Sequence, residues 1–140
     1  MKLFDPFKFE LPGTIRKIVD GDTFHVDVVL DNQYVIPCVV RLIGVDAAEK
    51  QTAPGKLLKT CMQKLVGTDV VVRSIKKDPY GRNLGEIFLN EESLSSLLLM
   101  KRLVREAGSV RVERTPSMLE EEYEAIQEWS NNGSSFEVRA

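Results

Sequence analysis

"GTIRKIVDGDTFHVDVVLDNQYVIPCVVRLI", residues 13–43, holds the pattern that decides the fold. Across 22–31 the apolar residues Phe24, Val26, Val28 and Leu30 alternate with more polar neighbours, the period of a strand with one buried face. GTIRKIV (13–19) before it and the β-branched YVIPCVVRLI (34–43) after it read as two further strands, with Asp31-Asn32 turning the chain between the second and third. Pro37 has no N–H to give to a ladder, so it belongs at an edge or a bulge.

Outward from these three strands the period changes. From Pro54 to Val66 the apolar residues Leu57, Leu58, Cys61, Met62, Leu65 and Val66 share one helical face, with Pro54 suited to the first turn and Gly67 to the C-terminal cap. DVVVRSIK (69–76) and LGEIFLN (84–90) read as the fourth and fifth strands, joined by the turn KDPYGR. Helices are expected at about 93–106 and, with Thr115 as N-cap, at about 116–129, where Leu119, Tyr123, Ile126 and Trp129 form a core-facing stripe. The order β-β-β-α-β-β-α-α predicts an α+β, mainly β, architecture: a five-stranded Greek-key OB barrel with three helices. Residues 1–12 are expected to be an N-terminal extension, 13–129 the domain, and the polar stretch 130–140 a flexible tail.

Composition narrows the function classes. No apolar run approaches the ~20 residues needed to cross a bilayer, and MKLFDPFKFELPG interrupts its apolar residues with charge and proline. The expectation is a chain with no membrane partner, cytoplasmic unless a leader has been removed. Cys38 and Cys61 sit in apolar stretches without CxxC spacing, as free thiols do. The net charge is −2, but it is unevenly spread: residues 50–82 carry eight Lys or Arg against two Asp, and 113–128 carry six Glu against one Arg. Either stretch is also what an ordinary solvated surface looks like.

Four short stretches carry the candidate chemistry: VDGDTF (19–24), RLIGVDAAE (41–49), the lysine-bearing helix, and DPYGR (78–82). In VDGDTF two carboxylates flank a glycine, either as a plain hairpin turn or as a device presenting Asp22 to a hard cation. In RLIGVDAAE period two puts Arg41 on the strand face opposite Leu42, with Asp46 and Glu49 just beyond the strand. An arginine there faces either solvent or a cleft that holds an anion. DPYGR is a connector that also delivers Arg82. Arginines and carboxylates gathered at strand ends suit a phosphodiester together with a cation.

VDGDT, RLIGVDAAE and DPYGR, in that order and with a helix between the last two, resemble the staphylococcal nuclease (thermonuclease) family of calcium-dependent OB-fold nucleases. The resemblance runs from about residue 13 to 129, and the ordered set is far more specific than any one motif. It implies a nuclease that hydrolyses phosphodiester bonds of DNA or RNA, using Ca2+ and leaving 3′-phosphate ends. It makes Asp22, Asp46 and the main-chain carbonyl of Ala47 the metal ligands with Asp20 close behind, and Arg41, Glu49 and Arg82 the catalytic residues. Calcium takes oxygen ligands, the arginine forks match phosphate oxygens, and Glu49 is the candidate base. Tyr80 is a candidate phosphate donor or ordinary turn packing, and Lys76 and Lys77 are the lysines best placed to meet neighbouring phosphates. The family commonly has Thr-Pro where this chain has Ala47-Ala48, and some members carry tyrosines where this chain has AGSV (107–110). The expected partner is nucleic acid, and the expected state a monomer. The alternative class is an OB module that binds nucleic acid or protein without cutting.

Overall fold

The computed structural model describes residues 3–136. Five long strands, β1 (Phe9–Asp20), β2 (Thr23–Leu30), β3 (Tyr34–Leu42), β5 (Asp69–Lys77) and β6 (Asn83–Leu89), lie in the order β3-β2-β1-β5-β6. Neighbours in that order are antiparallel, and a parallel pairing of β3 with β6 over Val40–Leu42 closes the sheet into a barrel. This is the OB arrangement expected from the element order. A two-residue strand β7 (Glu92–Ser93) extends β6. A separate two-residue ribbon joins β4 (Val45–Asp46) to β8 (Arg105–Glu106).

The alternation in β2 does what its period demands: Phe24, Val26 and Val28 fill the interior beside Ile15, Ile18, Val40, Leu42, Val72 and Ile87. Pro37 stands opposite Asp27 of β2, on the half of β3 that β6 does not reach. Its missing N–H therefore costs no ladder bond. The helix α1 (Ala53–Met62) follows the expected span, capped by Thr52, whose hydroxyl accepts from the Gly55 N–H, and its last turn tightens into a 3-10 turn at Gln63–Leu65. Its Leu58 and Met62 plug one end of the barrel, and α3 (Pro116–Asn131) packs Ile126 and Trp129 onto the same core.

Three boundaries differ from expectation. The first strand starts at Phe9, so residues 9–12 pair with β5 rather than standing apart, and Pro6 and Phe7 are tied down through their carbonyls by Asn83 Nδ2 and Ser74 Oγ. The helix α2 stops at Met100 (Leu94–Met100) because Arg102 takes a left-handed conformation, φ 60°, and returns Leu103 and Val104 to the core. The tail begins after Asn131, and within it the Ser135 carbonyl accepts from Trp129 Nε1 while the Phe136 ring packs at a tilt against the Trp129 ring. Residues 137–140 of the expected tail lie outside the described residues. Cys38 is buried, Cys61 half-buried, and both are free thiols. No helix among the described residues is long and apolar enough to cross a membrane.

Candidate active site

Barrel closure decides which polar groups meet. The turn between β1 and β2 is made by Asp20-Gly21-Asp22, and Thr23, the next residue, pairs with Arg41 at the end of β3. The Leu42 N–H then donates to the Asp22 carbonyl at 2.9 Å. A side chain at Gly21 would collide with Leu58 of α1 and crowd Ala47, so the turn lies against the helix only because this residue has no Cβ. Beyond β3 the chain turns through Gly44 into β4, where the ribbon with β8 sets Asp46 opposite Arg105. Asp22, Arg41 and Asp46 thus converge, from three places in the sequence.

Their geometry is specific. The Arg41 guanidinium is fixed by two main-chain carbonyls, with Nη1 donating to Leu42 at 2.7 Å and to Val45 at 2.9 Å. Its Nη2 lies 3.5 Å from Asp22 Oδ2 and 3.5 Å from Asp46 Oδ1, so it sits between the two carboxylates. Asp22 Oδ2 also accepts from the Ala47 N–H at 2.8 Å and Oδ1 from the Thr23 hydroxyl at 2.9 Å. Burial pushes the Asp20 carboxyl up to about 7, helped by the hydrogen bond and charge of Asp22. Burial acts the same way on Asp22, but the hydrogen bond with Asp20, the charge of Arg41 and the Ala47 N–H outweigh it and hold that carboxyl below its ordinary range.

Asp46 is fully buried, and sequence reasoning missed most of what surrounds it. Its Oδ2 accepts from Arg114 Nη1 and from the Val112 N–H, each at 2.9 Å. Arg114, only 6% exposed, donates from Nε to the buried Glu122 at 2.8 Å, and Arg105 Nε donates to the same carboxylate at 2.9 Å. Asp46, Arg114, Glu122 and Arg105 therefore form a continuous chain of charge-assisted hydrogen bonds from the site to α3, buried except at Arg105. A fourth arginine, Arg111, reaches over the site and donates from Nη2 to the Ala47 carbonyl at 3.2 Å. One signal in the sequence pointed here: Glu122 falls on the face defined by Leu119, Ile126 and Trp129. A carboxylate on a buried stripe requires a buried cation.

The other candidate residues stand further out. Glu49 is half exposed, its carboxylate accepting from Gln51 Nε2 at 2.6 Å and lying 4.0 Å from Arg111 Nε. Its main chain is fixed, because the Glu49 carbonyl accepts from the Thr52 N–H and hydroxyl and a side chain on Gly55 would overlap it. Arg82 is two residues ahead of Leu84, the β6 partner of Arg41, but its guanidinium is engaged by Asp78, with Nε 2.6 Å from Oδ2. Among the described residues that is its one ion pair, and the Tyr80 ring, itself 84% exposed, lies alongside the guanidinium. Lys76 and Lys77 are exposed at the end of β5, beside the same turn, and Lys77 Nζ sits over the Phe7 ring.

Asp22, Asp46 and the Ala47 carbonyl offer only oxygen, the donor type of a hard divalent cation. Asp22 Oδ2 and Asp46 Oδ1 already face one positive group, Arg41 Nη2, and Asp46 Oδ1 has no closer partner, so the donor set fits such an ion. Among the described residues no three His, Cys, Asp or Glu side chains cluster to hold a metal, so the set rests on two carboxylates and a carbonyl, fewer than the about six to eight oxygens such an ion takes.

A small α+β barrel of OB topology, with carboxylates and arginines gathered where its strands end, defines the class. Within it, the chain belongs to the staphylococcal nuclease homologue family, whose model matches residues 39–132. That match takes in Arg41, Asp46, Glu49 and Arg82; Asp20 and Asp22 lie ahead of it. Among curated relatives, the chain is 39% identical over 87 residues to Protein ParB of Escherichia coli, covering 61% of this chain and 46% of the relative. It is 32% identical over 80 residues to an uncharacterized endonuclease of Escherichia coli O157:H7, covering 56% and 49% respectively. The chain thus aligns with about half the length of the curated relatives it matches.

Proposed function

We propose that this protein is a calcium-dependent nuclease that hydrolyses phosphodiester bonds of DNA or RNA and leaves 3′-phosphate ends. The observation that carries the reading is the convergence of Asp22 and Asp46 on the Arg41 guanidinium, with the Ala47 carbonyl beside them under Arg111 and Glu49 further out. Membership of the staphylococcal nuclease homologue family supports it, as does the likeness to the uncharacterized endonuclease of Escherichia coli O157:H7.

Asp22, Asp46 and the Ala47 carbonyl would hold the calcium ion, with Asp20 behind Asp22. Calcium bound there supplies positive charge close to the phosphodiester. Arg41 holds a phosphate oxygen through donors left free by its two carbonyl contacts, and it stays charged throughout. Glu49, exposed to solvent, takes the proton of the attacking water. Arg82 turns from Asp78 to the diester and stabilises the charge that grows on it. Tyr80, Lys76 and Lys77 meet the neighbouring phosphates.

Release of acid-soluble nucleotides from single- and double-stranded DNA and RNA, with and without calcium, tests the reading directly. Cleavage is expected only with calcium, and Glu49→Gln is expected to lower turnover by ~10²-fold or more while the variant still binds nucleic acid. Near-normal cleavage by Glu49→Gln removes Glu49 from the mechanism. No cleavage by the unmodified protein favours the non-enzymatic module, the reading that the engagement of Arg82 by Asp78 also suits.

A further inference from the structure

The segment 107–115, which joins β8 to α3, sends two arginines to the site under very different constraints. Arg114 is locked, with contacts of 2.8 and 2.9 Å to Glu122 and Asp46 and almost no exposure. Arg111 is 52% exposed and loosely held: 3.2 Å to the Ala47 carbonyl, 3.6 Å to Asp46 Oδ1 and 4.0 Å to Glu49 Oε1. The last two exceed hydrogen-bond length, and a half-exposed ion pair of that kind stabilises little.

The three groups Arg111 touches are the carbonyl and the carboxylate oxygen proposed for the cation, and the carboxylate proposed as base. A divalent cation on Ala47 and Asp46 would compete with Arg111 for the same oxygens and repel it. Arg41 cannot yield in the same way, because Nη1 is tied to Leu42 and Val45. Arg111 can, yet not far: its neighbour Val112 is anchored by its N–H to Asp46 Oδ2 at 2.9 Å, so a displaced guanidinium remains beside the two carboxylates. A permanently charged fork freed from carboxylate and carbonyl, and held where a diester would lie, has phosphate as its natural acceptor.

We propose that Arg111 is a substrate-positioning arm: without the cation it occupies the Ala47 and Asp46 oxygens, and with the cation bound it passes to a phosphate of the nucleic acid. The inference rests on the cation site of the proposed function and predicts that one substitution moves two affinities in opposite directions. A residue that merely supported the fold would not do that.

The test is calorimetric titration of calcium chloride into the unmodified protein, Arg111→Ala and Arg111→Lys, followed by titration of a nucleoside 3′,5′-bisphosphate at saturating calcium. Arg111→Ala is expected to bind calcium ~2–5-fold tighter, the size of a lost exposed ion pair. It is expected to bind the bisphosphate ~10-fold or more weakly, the loss of a charge-assisted contact. Arg111→Lys, which keeps charge but not the fork, should leave calcium affinity near that of the unmodified protein and bind the bisphosphate at an intermediate level. If calcium binds the unmodified protein but no tighter to Arg111→Ala, or if bisphosphate affinity stays within twofold, the Arg111 inference is overturned and the cation reading stands. If the unmodified protein binds no calcium, the cation reading fails and this inference with it.

Discussion

Arg114→Met removes the one cation shared by two buried carboxylates while keeping a side chain of similar length. Asp46 would retain the Val112 N–H and the looser Arg41 and Arg111 contacts, and Glu122 would retain Arg105. Breaking a buried ion pair by removing one partner costs ~3–5 kcal/mol, and because each carboxylate keeps some compensation we expect the lower end, ~3 kcal/mol. That is a large part of the ~5–15 kcal/mol of a typical domain. With a urea slope of ~1–3 kcal/mol per molar, the unfolding midpoint should fall by ~1–3 M without a change of slope. Adding Glu122→Leu, on the face that already holds Leu119, Ile126 and Trp129, removes one stranded charge, so the double variant should lose less than the sum of the singles. A loss below ~1 kcal/mol for Arg114→Met, or strict additivity with Glu122→Leu, would refute the buried network as the support of Asp46.

Gly55→Ala should destabilise by ~1–3 kcal/mol and lower turnover in the acid-soluble-nucleotide assay, because the new methyl overlaps the Glu49 carbonyl and must shift the segment bearing Glu49; wild-type turnover would show that the segment yields freely. Lys76→Ala or Lys77→Ala should weaken binding to long nucleic acid and reduce the slope of log affinity against log salt by up to ~0.7–0.9 each, with turnover at saturation unchanged. For Asp78, burial raises the carboxyl pKa, but the N–H and guanidinium of Arg82 and the N–H of Tyr80 bring it below its ordinary 3.8. A depressed value stabilises the fold above the ordinary range and loses that contribution as pH falls through the folded value. Asp78→Asn should therefore be less stable than the unmodified protein at pH 7, with the gap closing below about pH 4; a gap independent of pH in thermal melts would show that the charge is not what matters.

What the sequence revealed was what repeats. The alternation in β2, the β-branched run of β3 and the helical faces of α1 and α3 each extend over enough residues for a period to emerge, and Pro37 and Thr115 sit where their chemistry places them. The end of α2 had no such signal: no glycine or proline stands among residues 101–107, and the left-handed turn falls on Arg102, a residue type with no preference for it. The β4–β8 ribbon is two residues wide and cannot show a period, although it fixes the backbone of Asp46. Asp22, Asp46 and Arg41 were legible as candidates because strand ends in a small barrel come together. Arg111 and Arg114 were not, because a segment without regular structure gives no face on which to place them.

That hidden half matters for the chemistry because it divides the two oxygens of Asp46. Oδ2 is committed, accepting at 2.9 Å from both Arg114 and the Val112 N–H, while Oδ1 faces Arg41 and Arg111 at 3.5 and 3.6 Å, without a short bond. A carboxylate bonded equally at both oxygens would be well stabilised and unavailable; one bonded at neither would be free to rotate, and costly to bury. Locking one oxygen fixes the plane of the group and leaves the other directed at a point that Asp22 also faces. The lock comes from α3 through Glu122 and Arg114, and the open side from β3 and the 107–115 segment. The C-terminal third of the chain therefore supplies both the buried guanidinium that partners Asp46 in the interior and the loosely held arginine beside its other oxygen.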